Sequence, residues 1–339
     1  DIHSNARQIL AASEHARDEL GADAIEFPEL SLTGYPPEDL LLRPHFIEPV
    51  DLAITSLCRD ITGITAVIGY PLQEQDALFN VAGVIQDGAV SVYRKQHLPN
   101  YSVFDEQRYF TAGTDTCVVW ISDVPVGITV CEDIWEPGPA ARAAAAGAQL
   151  LINLNASPYH AGKHDERERL LSGRARQAAI PMMYVNLVGG QDELVFDGGS
   201  FVVDAAGKVT TRAPACESGL YSVDFSVDTA VTPVIGECAQ PLPDVAAIYR
   251  VLVLGVRDYI DKNHFSGAVL GLSGGVDSAL TLALAVDAIG SERIEAVMLP
   301  SRYTADMSIE DARAEADALG VEYHVLPIEK PFSSFLEIL

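Results

Sequence analysis

Short β-branched runs, bounded by turn residues and separated by stretches of helical periodicity, recur from near the start of this chain and confine it to layered α/β architecture. The runs are AIEF (24–27), TAVIGY (65–70), VAGVIQ (81–86), VPVGITV (124–130), LLINLNA (150–156) and MMYVNLV (182–188). Strands this apolar must bury at least one face, which stacked sheets with outer helices provide. Helical patterns fill 4–20, 139–147 and 163–179, and GSFVVDAAGKVTT (199–211) reads as a hairpin closed at Ala-Gly-Lys.

The periodicity breaks at 225–244, where three prolines lie near Gly236, and this stretch is expected to be a linker. A second α/β unit follows: helix 245–263, a strand running into a glycine turn and helix at 268–286, strand 294–300, helix 308–319 and strand 322–328. That order predicts a doubly wound parallel sheet. Two domains are therefore expected, 1–224 and 245–339, in keeping with a length of 339 residues. The second, of about 95 residues, is expected to be truncated, and a chain opening at Asp1 directly into a helix is expected to lack a first strand.

Composition excludes several classes. A chain with 48% hydrophobic and 21% charged residues is globular rather than disordered, and no apolar run is long enough to span a bilayer or serve as a signal peptide. A formal net charge of −26 opposes binding to nucleic acid or an anionic membrane, but not to small anions held in a locally basic cleft. The five cysteines (58, 117, 131, 216, 238) have no CxxC spacing and fit free thiols in a reducing cytoplasm.

Three polar residues follow the ends of three different strands: Glu29, Lys95 and Cys131. A thiol attacks only as thiolate, so it needs a base and a nearby positive charge. A carboxylate can accept its proton, and a lysine can hold the thiolate and the oxyanion formed on a carbonyl carbon. The turn Cys131-Glu132-Asp133-Ile134 has the form of a nucleophile elbow.

The words around these residues are FPELSLTGYPPEDLL (27–41), YRKQHLPNYSVFDEQRYF (93–110) and GITVCEDIWEP (127–137). They resemble, in order and over about 220 residues, the signature blocks of the nitrilase superfamily, and more narrowly the glutaminase domain of the glutamine-dependent NAD synthetase family. The resemblance implies an α-β-β-α sandwich with Glu29 as general base, Lys95 as oxyanion-stabilising lysine and Cys131 as nucleophile. It further implies Glu106 as a second carboxylate, and Tyr101, Ser157 and Lys163 as contacts for glutamine.

The second constellation is GLSGGVDS, Gly271, Leu272, Ser273, Gly274, Gly275, Val276, Asp277 and Ser278. A glycine turn between strand and helix directs backbone N–H groups at an anion, and the two serines add hydroxyl donors. Asp277 would repel a bare phosphate and makes sense if Mg²⁺ bridges carboxylate and phosphate. The loop is neither a Walker A sequence nor a dinucleotide turn. It resembles the pyrophosphate loop of N-type ATP pyrophosphatases, and VMLPSRYTADMSIEDA (297–312), with Arg302 expected near ATP, is similar to the block that follows it in NAD synthetases.

Together the resemblances imply ATP, deamido-NAD and L-glutamine as substrates, Mg²⁺ as cofactor, and a cytoplasmic homo-oligomer. Two other readings stay open: a stand-alone nitrilase-like amidase with a regulatory or non-functional nucleotide-binding domain, and a non-catalytic nucleotide-binding module. The intact Ser273, Asp277 and Ser278 argue against the first, and the Glu29–Lys95–Cys131 set against the second.

Overall fold

Strand alternation decides which side chains meet in the first half of the chain. The computed structural model describes residues 1–339, which fall into two units: Asp1–Val188 with Phe196–Asp244, and Gly189–Val195 with Val245–Leu339. The first unit opens with α1 (Ile2–Asp18), β1 (Ala24–Glu26), α2 (Ile47–Asp60), β2 (Thr65–Glu74), β3 (Ala77–Gln86) and β4 (Ala89–Arg94). These strands form a sheet in the order β1-β2-β3-β4, parallel between β1 and β2 and antiparallel beyond. Ala66 and Ile68 of β2 pack with Val50, Ile54 and Leu57 of α2 and with Ile9 of α1, while Val67 between them faces the opposite way.

A second sheet receives that opposite face. It contains β5 (Cys117–Ile121), β6 (Val124–Val130), β7 (Leu150–Asn155) and β8 (Met182–Asn186), with α3 (Pro137–Ala145) and α4 (Lys163–Ala178) crossing between the parallel strands. After β9 (Val188–Gln191) and β10 (Leu194–Asp197) come β11 (Phe201–Val203) and β12 (Val209–Arg212), giving the order β12-β11-β8-β7-β6-β5. Val126, Ile128, Ile152 and Leu154 meet Val67, Val84 and Tyr93 between the sheets. Leu151, Met182 and Tyr184 pack outward against Ala140 and Ala143 of α3 and Leu171 and Ala175 of α4. The layers are thus helix, sheet, sheet, helix, the sandwich expected from the sequence. The stretch 225–244 holds a hairpin of β13 (Phe225–Val227) and β14 (Val231–Pro233), and the Arg212 amide donates to the Glu237 carbonyl.

The second unit contains α5 (Asp244–Lys262), β15 (Ala268–Gly271), α6 (Val276–Ile289), β16 (Ile294–Met298), α7 (Asp306–Leu319), β17 (Glu322–Val325) and α8 (Glu329–Ile338). Its sheet is parallel throughout, in the order β15-β16-β17. Leu282 and Ile289 of α6 and Ala312 and Ala316 of α7 bury Ile294 and Ala296 of β16. On α5, Asp258 accepts a 2.7 Å hydrogen bond from the Gly190 amide, and Lys262 donates one of 2.6 Å to the Gly190 carbonyl. No helix is long and apolar enough to cross a membrane.

Candidate active site

Glu29 comes just beyond β1, Lys95 just beyond β4, and Cys131 just beyond β6, so the strand ends of both sheets deliver the three side chains to one region. Glu29 and Lys95 are each 0% exposed. The Lys95 ammonium donates to Glu29 Oε1 at 2.7 Å and to Glu106 Oε1 at 2.8 Å. Asn80 donates its side-chain amide to Glu29 Oε1 at 2.8 Å and accepts the Lys95 N–H on its backbone carbonyl at 2.9 Å. The Ala156 N–H binds Glu29 Oε2 at 3.1 Å, and the Tyr35 hydroxyl donates to Glu106 Oε1 at 3.2 Å.

Close backbone packing holds this frame. Gly69 of β2 lies directly beneath Glu29, where a Cβ would come within 2.4 Å of the Leu30 nitrogen. Cys131 has φ +45°, the left-handed region that disfavours ordinary side chains and that recurs at reactive turns. It opens a one-turn 3-10 helix, Cys131–Ile134, and is itself buried.

Burial and the neighbouring charges set the protonation states. Burial alone would discharge Lys95, but Glu106 and Glu29 outweigh it and hold the ammonium charged well above its ordinary range. Burial, with Glu29 next, pushes the Cys131 thiol up, and Lys95 opposes the shift. Burial raises Glu106 to about 7 despite the adjacent Lys95, and its Oε2 is buried with no hydrogen-bond partner. The site therefore stores a positive charge, a proton-accepting carboxylate and a thiol that becomes nucleophilic only when its proton is taken.

A second ring of residues lies around the turn. Tyr101 is 55% exposed, and its hydroxyl reaches both Glu132 oxygens at 3.1 Å. Lys163 stands 4.0 Å above the Trp135 ring and 3.0 Å from Glu166. Burial raises the Glu132 carboxyl, while Tyr101, Lys95 and Lys163 pull the other way. Ser157 is buried: its Oγ accepts from Arg167 at 3.2 Å, and its N–H donates to Asn186 at 2.8 Å. Arg167 also pairs with Asp197 at 2.8 Å, a buried ion pair, and donates to the Ser157 carbonyl at 2.7 Å and the Pro158 carbonyl at 3.0 Å, just after the Ala156 N–H.

The sequence reading missed Asn80, Glu132, Asp133 and Arg167. Glu132 and Asp133 adjoin Cys131, which was a usable signal. Asn80 lies inside β3 and Arg167 inside α4, where a lone polar residue looks like any solvated position until the partner elements close over it.

In the second unit, the Ser273 and Ser278 hydroxyls lie 3.0 Å apart, the Ser273 N–H donates to Ser278 Oγ at 3.2 Å, and the Gly275 N–H donates to Ser273 Oγ at 3.3 Å. Gly275 caps α6 with no side-chain bond, leaving first-turn N–H groups available to an anion. Gly274 has φ +77° and approaches the Ser308 carbonyl so closely that a Cβ would sit 2.1 Å from it. The two sequence blocks of this domain thus meet at the loop. Gly271 and Leu272 lead into it, and Val276 and Asp277 form the exposed first turn of α6. Arg302 is held by α8: it pairs with Glu329, lies 5.7 Å from the Phe332 ring centre and contacts Ser333 at 3.3 Å.

The carbon-nitrogen hydrolase family model matches residues 1–232, and the NAD synthase model matches 248–339. The chain is 46% identical over 342 residues to the glutamine-dependent NAD(+) synthetase of Xylella fastidiosa, covering all of this chain and 63% of that protein. The solved structure of glutamine-dependent NAD+ synthetase from Acinetobacter baumannii in complex with ADP is 42% identical with a TM-score of 0.96, over 100% of this chain and 64% of that one. An amidase from Nesterenkonia sp. is 28% identical with a TM-score of 0.59, over 70% of this chain and 86% of its own. The chain spans less than two thirds of the length of the two synthetases. With the Glu29–Lys95–Glu106 frame in the matched N-terminal region and a glycine loop in the matched C-terminal one, the chain belongs to the carbon-nitrogen hydrolase family, in the two-domain arrangement of the glutamine-dependent NAD(+) synthetases.

Proposed function

We propose that this chain works as a glutamine-hydrolysing NAD synthetase. The Lys95-centred frame, in which one ammonium binds Glu29 and Glu106 beside Cys131, is the observation that carries the glutaminase half. Glu29 takes the thiol proton as Sγ attacks the side-chain amide carbon of glutamine. Two of the three Lys95 N–H bonds are committed to carboxylates, and the third is free to meet the oxyanion. Collapse breaks the C–N bond, and the proton held by Glu29 leaves with ammonia. Water then hydrolyses the glutamyl thioester, Glu29 again accepting a proton, and glutamate departs. Glu132 offers the acceptor and Lys163 the donor that a zwitterionic α-carbon needs, with the exposed Tyr101 and the buried Ser157 as further contacts.

In the second unit, the serine-glycine loop at the start of α6 would hold the phosphates of ATP. AMP joins the carboxylate of deamido-NAD, pyrophosphate leaves, and ammonia displaces AMP to give NAD. The single exposed carboxylate of Asp277 fits Mg²⁺ carried in on phosphates, which needs only one or two protein carboxylates and would neutralise phosphate charge there. Arg302 belongs to the same proposal once it exchanges Glu329 for a phosphate. So do a boundary near residue 245 and a cytoplasmic homo-oligomer, the cytoplasmic setting being in keeping with free cysteines throughout.

The decisive comparison pairs Cys131→Ala with Asp277→Ala. The first should abolish glutamate release from glutamine and leave ATP binding intact; the second should leave glutamate release within about twofold and weaken ATP binding at least about tenfold. Glutamate release that survives Cys131→Ala would refute the assignment of the nucleophile.

A further inference from the structure

We infer that Asp133 is a positioning residue that sets the spacing between the Cys131 nucleophile and the Lys95 ammonium. The inference rests on reading those two residues as the glutaminase machinery. Lys95 follows a strand of the four-stranded sheet and Cys131 follows a strand of the six-stranded sheet, so no ladder of backbone hydrogen bonds relates them. The side chains that fill the space between the sheets are mainly apolar, and apolar contact is non-directional, so it does not by itself fix the offset of these two strand ends.

One carboxylate closes that gap. Asp133 is 0% exposed. Its Oδ1 accepts the Gln96 N–H at 3.1 Å and the His97 N–H at 2.8 Å, and its Oδ2 accepts the Tyr93 hydroxyl at 2.8 Å and the Val130 N–H at 3.3 Å. Gln96 follows Lys95, and Val130 precedes Cys131. The same side chain therefore grips the backbone beside both reacting groups and supports the left-handed Cys131. Oδ1 accepts from two N–H groups and Oδ2 from the Tyr93 hydroxyl and the Val130 N–H, with the Gln96 N–H 3.4 Å away, so an amide at this position would aim its NH₂ at one or more N–H donors whichever way it turned and lose part of the grip.

The test uses Asp133→Asn and the milder Tyr93→Phe in the full chain. Three quantities are read: glutamine hydrolysis, melting temperature, and the pH midpoint of Cys131 alkylation by iodoacetamide, followed on its own peptide. Cys131 is faced by Glu29, Glu106 and Glu132, which raise its pKa, and by Lys95, which lowers it. Withdrawing Lys95 should move the alkylation midpoint up, reduce kcat about tenfold to a hundredfold, and leave KM within about twofold. Tyr93→Phe should shift kcat and the alkylation midpoint in the same directions by less, with the melting temperature near wild type. A loss of stability with kcat and alkylation midpoint unchanged would overturn the inference. If Asp133→Asn does not fold, an unchanged midpoint in Tyr93→Phe overturns it as well. Wild-type protein that releases no glutamate while the midpoint still shifts would sink the glutaminase reading and leave the positioning role standing.

Discussion

Gly69→Ala should disrupt the Glu29–Lys95 frame without replacing any of its side chains. The added Cβ would lie 2.4 Å from the Leu30 nitrogen, 2.7 Å from the Pro28 carbonyl oxygen and 2.8 Å from the Glu29 Cα. Ordinary contacts begin near 3.4 Å, so the Glu29 backbone must retreat by about 1 Å, and no rotamer change relieves a clash with main chain. A retreat of that size lengthens the 3.1 Å bond from the Ala156 N–H past hydrogen-bonding range and carries Glu29 away from Lys95. Misplacement of about 1 Å costs roughly a hundredfold in rate, or about 2.7 kcal/mol of barrier, alongside about 1–3 kcal/mol of stability from overpacking. The assay is kcat and KM for glutamine hydrolysis with urea unfolding of the same preparations. Gly83→Ala is the matched control: its Cβ would meet the Tyr70 ring at 2.6 Å, so it should lose stability and keep kcat. The reasoning is refuted if Gly69→Ala keeps kcat within twofold, or if the two variants lose kcat equally.

Glu106 holds a proton to about pH 7 in the folded protein, whereas the unfolded chain releases it near the ordinary carboxylate value of 4.5. Its contribution to stability is therefore complete in acid and is lost as pH rises from about 4.5 to 7, by up to ~3 kcal/mol. Glu106→Gln should flatten that slope in urea titrations at pH 5 and pH 7.5, and equal slopes in the two proteins would count against it. Asp197→Ala leaves the Arg167 guanidinium buried without its carboxylate and should cost about 3–5 kcal/mol. The double change Arg167→Met with Asp197→Leu should recover part of that loss; an unchanged urea midpoint in Asp197→Ala would show that the pair carries no such weight.

Much of the molecule follows from local order alone. Period-two apolar runs and amphipathic helices are local, so the strands, the layered first domain and the β-α-β order of the second are readable from neighbours a few residues apart. Their place after strand ends and the sequence words around them likewise singled out Glu29, Lys95, Cys131 and the Ser273–Ser278 loop as candidates, since both signals lie within a few neighbouring residues. Tertiary structure decided everything that needed two distant segments at once. Only folding shows that Asn80 bridges Glu29 and Lys95, that Gly69 must lack a side chain, that Arg302 faces Glu329, and that Asp133 ties the ends of two different sheets. These roles rest on distances of about 3 Å between residues tens of positions apart, and a directional bond over that range leaves no periodic trace in the sequence.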